Sequence, residues 1–149
     1  MAIGTFQPSV EVKNQGSMLG LFSTDDILSG QVIFKLEGEI IAQPTRTSLQ
    51  IGMNEHIEDQ RIAFTNHNCN PTAFVYDGYL ITKRNIKAGD EITIDYNLTE
   101  EIVTHPFICN CCGRIITGKN STLYRNLLLW IYLHSSLLIS SAKKGSQLR

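Results

Sequence analysis

Asn66-His67-Asn68-Cys69-Asn70-Pro71 crowds amides, an imidazole and a thiol into one short stretch closed by a proline. An asparagine amide offers two donors and an acceptor, and a neutral imidazole offers one of each. Buried without partners, such groups cost about 1–3 kcal/mol. They therefore either tie loops together or bind something with a matching polar edge, such as a purine. A thiol nucleophile with His67 as its base is disfavoured, because neighbouring positions in an Asn/Pro turn do not normally aim two side chains at each other. Further on, Lys87-Ala88-Gly89-Asp90 turns into Glu91-Ile92-Thr93-Ile94-Asp95-Tyr96, a β-branched run ending in a tyrosine. A tyrosine at a strand end is usually a core residue with its hydroxyl hydrogen-bonded. Cys109-Asn110-Cys111-Cys112, with the distant Cys69, offers thiolates to a metal. A structural zinc site needs four ligands in a tetrahedron. A C-x-C pair suits that, whereas adjacent Cys111 and Cys112 on one ion would be strained. Gly16 and Gly20 precede a strand but lack the G-x-G-x-x-G spacing and the following helix of a dinucleotide fingerprint.

The elements that must hold these groups read as mainly β. Residues 9–13 alternate apolar and polar, 21–23 resume an apolar strand, and 31–36 and 39–42 are further short strands. Residues 44–59 are less regular, with a brief strand at 49–51 and a turn at 52–55. Asp77-Gly78 between the β-rich runs 74–76 and 79–83 is a hairpin signal, since both residues tolerate positive φ. Residues 91–96 form the next strand. Residues 123–141 are a helix candidate whose run 127–133 is apolar on every face. That run is short of the roughly 20 apolar residues of a membrane span. It reads as a helix packed on the domain or on a second copy in a homodimer, with a membrane-associated tail as the alternative.

Composition bounds the rest. The chain has 149 residues, 42% hydrophobic and 18% charged, with a net charge of -1. This fits one folded domain with a small appendage. Near neutrality gives no general pull towards nucleic acid or anionic membrane, so direct nucleic-acid binding is not expected. A basic partner would need a local acidic patch, built from Glu55, Glu58 and Asp59 or from Glu100 and Glu101. Four cysteines, three of them crowded together, do not make a disulfide framework. With no signal-peptide pattern at the start, the expected home is a reducing intracellular one, cytoplasmic or nuclear.

Taken in order, Gly20-Leu21-Phe22, Asp26-Ile27, Gly30-Gln31-Val32-Ile33, Gly38-Glu39-Ile40, the Asn66–Pro71 motif and Arg84-Asn85-Ile86 through Tyr96 resemble the SET-domain protein lysine methyltransferases. The resemblance implies a mainly β, β-clip-like fold of short curved sheets with a C-terminal pseudoknot, to which a C-terminal helix is added. It implies a SET domain at 8–100, a post-SET-like cysteine segment at 101–118 and a helical tail at 119–149. It implies S-adenosylmethionine-dependent methyl transfer to a lysine of a protein substrate, histone or other. Met18, Leu19 and Gly20, with Asn66, His67, Tyr96 and Phe107, would hold the cofactor. Tyr96 would be the catalytic tyrosine, and Phe64, Phe74 or Tyr79 would line a lysine channel. Zinc would sit on Cys69, Cys109, Cys111 and Cys112, with Cys112 replacing a later cysteine that is missing here. Met18 stands where the family often has glycine, and Ile94 stands where it often has Phe or Tyr to set how many methyls are added. Met18 and the incomplete cysteine cluster motivate an alternative: a catalytically weak or inactive SET module that binds a peptide or partner.

Overall fold

The computed structural model describes residues 8–119. The helix expected at 123–141 lies outside them. The chain divides into two compact units, Met1–Lys119 and Asn120–Arg149, and the described residues all belong to the first. Strands β1 (Val10–Gln15) and β2 (Met18–Ser23) form a hairpin, followed by β3 (Val32–Lys35). Next come β4 (Glu39–Ile41), β5 (Leu49–Gly52) and β6 (Glu55–Glu58), then a 3-10 turn at Ile62–Phe64 and β7 (Asn66–His67). A hairpin of β8 (Ala73–Tyr76) and β9 (Tyr79–Thr82) precedes β10 (Glu91–Ile94). One helical turn, α1 (Tyr96–Thr99), leads to β11 (Phe107–Ile108) and β12 (Ile115–Ile116). The sheets are β1-β2-β10-β7, β3-β9-β8, β4-β6-β5 and the β11-β12 pair. The mainly β architecture read from sequence is therefore found. Among the described residues, no helix is long and apolar enough to cross a membrane.

The core is built by the β-branched and aromatic runs. Ile92 and Ile94 of β10, Leu21 of β2, Ile33 and Phe34 of β3, and Leu80 of β9 are all essentially sealed from water. Each buried side chain of this size contributes about 1.5–3 kcal/mol. The β8-β9 hairpin turns at Asp77 and Gly78, with φ of 47° and 76°, the left-handed pair that a two-residue turn needs. A smaller cluster of Val103, Cys109 and Ile116 packs beneath Cys69 and Tyr96, so the segment after β10 closes over the same region.

Three sequence expectations change. Residues 55–58 are a strand and not the end of an irregular stretch, because β6 is the middle strand of its sheet and buries His56 and Ile57. The strand at 91–96 stops at Ile94. Asp95 is the cap of α1, and its side chain accepts the Asn97 N–H at 3.0 Å, so Tyr96 opens a helical turn. Asp59 belongs to no acidic patch. It is buried, pairs with the Arg61 guanidinium at 2.7 Å and accepts the Glu37 and Arg61 N–H groups, each at 2.7 Å. Burial alone would raise its pKa, but these donors outweigh that and hold it below the usual carboxylate range.

Gly38 faces the backbone of β6 so closely that a Cβ there would overlap the Glu58 carbonyl. Gly38→Ala should therefore lower the urea midpoint by the equivalent of about 1–3 kcal/mol; an unchanged midpoint would contradict this packing. His56 is buried with Nδ1 lacking a partner among the described residues, and burial holds its pKa below 6.5. Below pH 6.5 the unfolded chain takes up this proton first, so stability is full above that pH and falls beneath it. Equilibrium unfolding at pH 7.5 and 5.5 should show that loss reduced in His56→Leu.

Candidate active site

The parallel pairing of β7 with β10 brings the two polar motifs side by side. Asn66 stands opposite Thr93 and His67 opposite Ile94. The Asn66 amide nitrogen donates to the Leu19 carbonyl at 3.0 Å and to Glu91 Oε1 at 2.7 Å. Gly20 makes room for this contact: a Cβ there would come within 2.6 Å of Glu91 Oε1 and 3.2 Å of the Asn66 amide. Met18 and Leu19 beside it are 59% and 50% exposed. The His67 side chain is only 2% exposed. Its Nδ1 accepts the Tyr96 N–H at 3.1 Å. Burial holds its pKa below the ordinary value, against a weaker upward pull from Asp95. His67, Tyr96 and Phe107 form a triangle of edge-on and tilted rings, with centroids 5.4, 5.7 and 6.2 Å apart.

Tyr96 is held at both ends. Its N–H is fixed by His67, and its hydroxyl donates to the Thr65 carbonyl at 2.7 Å. Burial, with the charges of Glu100 and Glu91, pushes its pKa up to about 12, so the phenol keeps its proton at neutral pH. Beside it runs a small groove that is open to solvent. One wall is the loop from Thr45 to Leu49 and the other is Ile102, Val103 and Thr104; Thr65, Ile94 and Glu100 lie between. Of the aromatic residues offered for a channel, none lines this groove. Phe74 and Tyr79 sit in the β3-β9-β8 sheet, and Phe64 packs on the main core.

The four cysteines converge. Their sulfur atoms all lie within 4.8 Å of one another. Cys69 is 3.6 Å from Cys109 and 3.3 Å from Cys112, and Cys109 is 3.0 Å from Cys111. The expected strain at Cys111 and Cys112 is relieved by a tight turn, in which the Gly113 N–H returns to the Cys109 carbonyl at 2.8 Å. A signal for this was present in the sequence: Cys109 and Cys112 also form a C-x-x-C pair, a spacing common in zinc sites. The N–H and guanidinium of Arg114, then Cys69, pull the Cys112 thiol down to about 6. The expectation that His67 and Cys69 would point apart also fails, since Nε2 lies 3.4 Å from the Cys69 sulfur.

This geometry has a family. The model for the SET domain matches residues 18–97. The chain belongs to the SET-domain family. The match runs from Met18 at the start of β2 to Asn97, just past Tyr96, and so contains both paired motifs. A histone-lysine N-methyltransferase described as H3 lysine-36 specific, from Gibberella zeae, is 25% identical over 143 residues, covering 74% of this chain and 15% of its own length. A protein of the same description from Debaryomyces hansenii is 27% identical over 135 residues, covering 69% of this chain and 18% of its own. The chain thus spans under a fifth of the length of these relatives. Glu91 and Thr65, inside the matched span, and Glu100 and Arg114, beyond it, contact these groups although sequence reading assigned none of them to the site.

Proposed function

We propose that the chain is a protein lysine methyltransferase that uses S-adenosylmethionine. The observation that carries this is Tyr96: a partly buried, protonated phenol lining a groove, two residues beyond the strand that pairs with Asn66 and His67. The donor set suits the cofactor. Gly20 leaves room for the Asn66 amide to reach the Leu19 carbonyl and Glu91, and Leu19, Met18 and Phe107 offer exposed apolar surface near Asn66 and His67. When bound, the cofactor supplies a sulfonium methyl for in-line displacement by a neutral amine. The chain's own contribution is position and polarity. The groove guides a lysine stem past Ile94 to Tyr96, and holding nucleophile and methyl in line supplies much of the acceleration. The Tyr96 oxygen and the Thr65 carbonyl present partial negative charge where a methyl becomes partly positive.

The alternative of an inactive peptide-binding SET module is less well supported, because Asn66, His67 and Tyr96 are all retained and meet in one place, and the exposed Met18 side chain does not fill that place. Core histones are the first substrate to try, given the names of the relatives. Free thiols at all four cysteines fit the reducing interior of a cell. We also propose that these cysteines hold zinc. Zinc–sulfur bonds of about 2.3 Å imply sulfurs about 3.8 Å apart in a tetrahedron. Three of the observed separations are 3.0 to 3.6 Å and all lie within 4.8 Å, a spread that brackets that value. Such a centre would fix β11 and β12, and with them Phe107, against the site.

Labelled S-adenosylmethionine incubated with core histones and with cell lysate should yield labelled lysine in the wild-type protein. Tyr96→Phe should lose about 10²-fold in rate while its thermal melt stays within a few degrees of wild type. No label in any protein, with no calorimetric cofactor binding, would sink the enzyme reading. Metal analysis of purified protein should return about one zinc per chain, and Cys112→Ser should lose it. Zinc-free wild-type protein with an unchanged melt would end the metal assignment.

A further inference from the structure

One buried charge in the groove has no role in the scheme above. Glu100 is 8% exposed, and its two carboxylate oxygens accept one N–H, that of Gln50, at 3.2 and 3.3 Å. Charge-assisted hydrogen bonds of this kind are ordinarily shorter, about 2.7–2.9 Å. Among the described residues, no basic side chain forms an ion pair with it. Lys119 acts on it only at a distance, and its ammonium lies 3.9 Å from Glu101. Arg46, on the groove's exposed rim, forms no ion pair with it either. Burial accordingly raises the Glu100 pKa, opposed by Gln50, Thr99 and Lys119. A desolvated carboxylate without a cation is costly. A neutral glutamine could also accept the Gln50 N–H, though more weakly.

A second observation concerns the same groove. Thr65, which also lines it, buries a hydroxyl that has no hydrogen-bond partner among the described residues. Leu49, Ile62, Ile94 and Val103 add apolar surface to a lining that also holds Arg46 and several hydroxyl side chains. A buried carboxylate and a hydroxyl beside such apolar surface match a long aliphatic stem that ends in a cation.

We propose that Glu100 is the specificity residue of this groove, selecting a cationic side chain by accepting the ammonium of the target lysine, with the Thr65 hydroxyl as second acceptor. This rests on the lysine methyltransferase reading. A neighbouring carboxylate favours the protonated amine, whereas attack needs the neutral one. The contact therefore belongs to recognition, and its loss should appear in KM.

The test uses the full chain and two small probes, Nα-acetyl-lysine methylamide and its uncharged norleucine counterpart, titrated by 1H–15N NMR. The lysine probe should shift the amide signals of Gln50 and Thr65, with affinity at least about tenfold above that of the norleucine probe. Glu100→Gln should erase that preference, and Glu100→Asp should restore part of it. With any protein that the wild type labels, Glu100→Gln should raise KM about tenfold without a fall in kcat. Equal affinity for the two probes in the wild type overturns the proposal, and this comparison needs no variant to fold. A preference that survives in folded Glu100→Gln also overturns it. If the wild type prefers the lysine probe yet labels no protein, the catalytic reading fails and the recognition role stands.

Discussion

Everything functional here depends on one short parallel pairing, β7 against β10. Only two residue pairs make it, Asn66 with Thr93 and Ile94 with His67, and the Asn68 N–H extends it to the Ile94 carbonyl at 3.0 Å. So small a ladder cannot hold itself. It is clamped because β10 is central, with β2 on its other edge and Ile92 and Ile94 in the core. Thr72 adds a polar clasp, its hydroxyl receiving the Thr93 N–H at 2.9 Å and donating to the Glu91 carbonyl at 3.0 Å. The apolar effect fixes β10, and β10 fixes where two distant stretches of chain meet.

That dependence explains what could be read from sequence. Strands with strong alternation or β-branching were legible, as was the Asp77-Gly78 turn, because their signals are local. The strand β6 was not, since Glu-His-Ile-Glu hides two buried residues between two charged ones. Tyr96 was found by its motif but given the wrong local structure; the competition between strand propensity and the Asp95 cap is decided only by what β10 pairs with. The groove was the least legible part. Its walls come from residues 45–49 and 102–104, which meet only in the folded chain. Glu100 in particular carries no pattern that separates it from the solvent-exposed Glu101 beside it.

The cysteine turn illustrates the opposite failure. Its residues were noticed, but adjacency was read as a geometric obstacle. The Gly113 N–H bond to the Cys109 carbonyl bends the chain so that successive sulfurs face inwards together. A backbone hydrogen bond, invisible in residue types, changed what a side-chain pair could reach.

The contact between the Tyr96 N–H and His67 Nδ1 has a consequence for how this protein can be dissected. Because Nδ1 accepts from a backbone donor, the neutral ring must carry its hydrogen on Nε2, which faces the Cys69 sulfur at 3.4 Å. One imidazole thus acts as a rigid spacer between the thiol cluster and the helical turn that begins with Tyr96. Any replacement at position 67 disturbs both neighbours at once and reports on neither alone. The Tyr96 hydroxyl, bound to a single carbonyl, is the point at which this assembly can be altered one atom at a time.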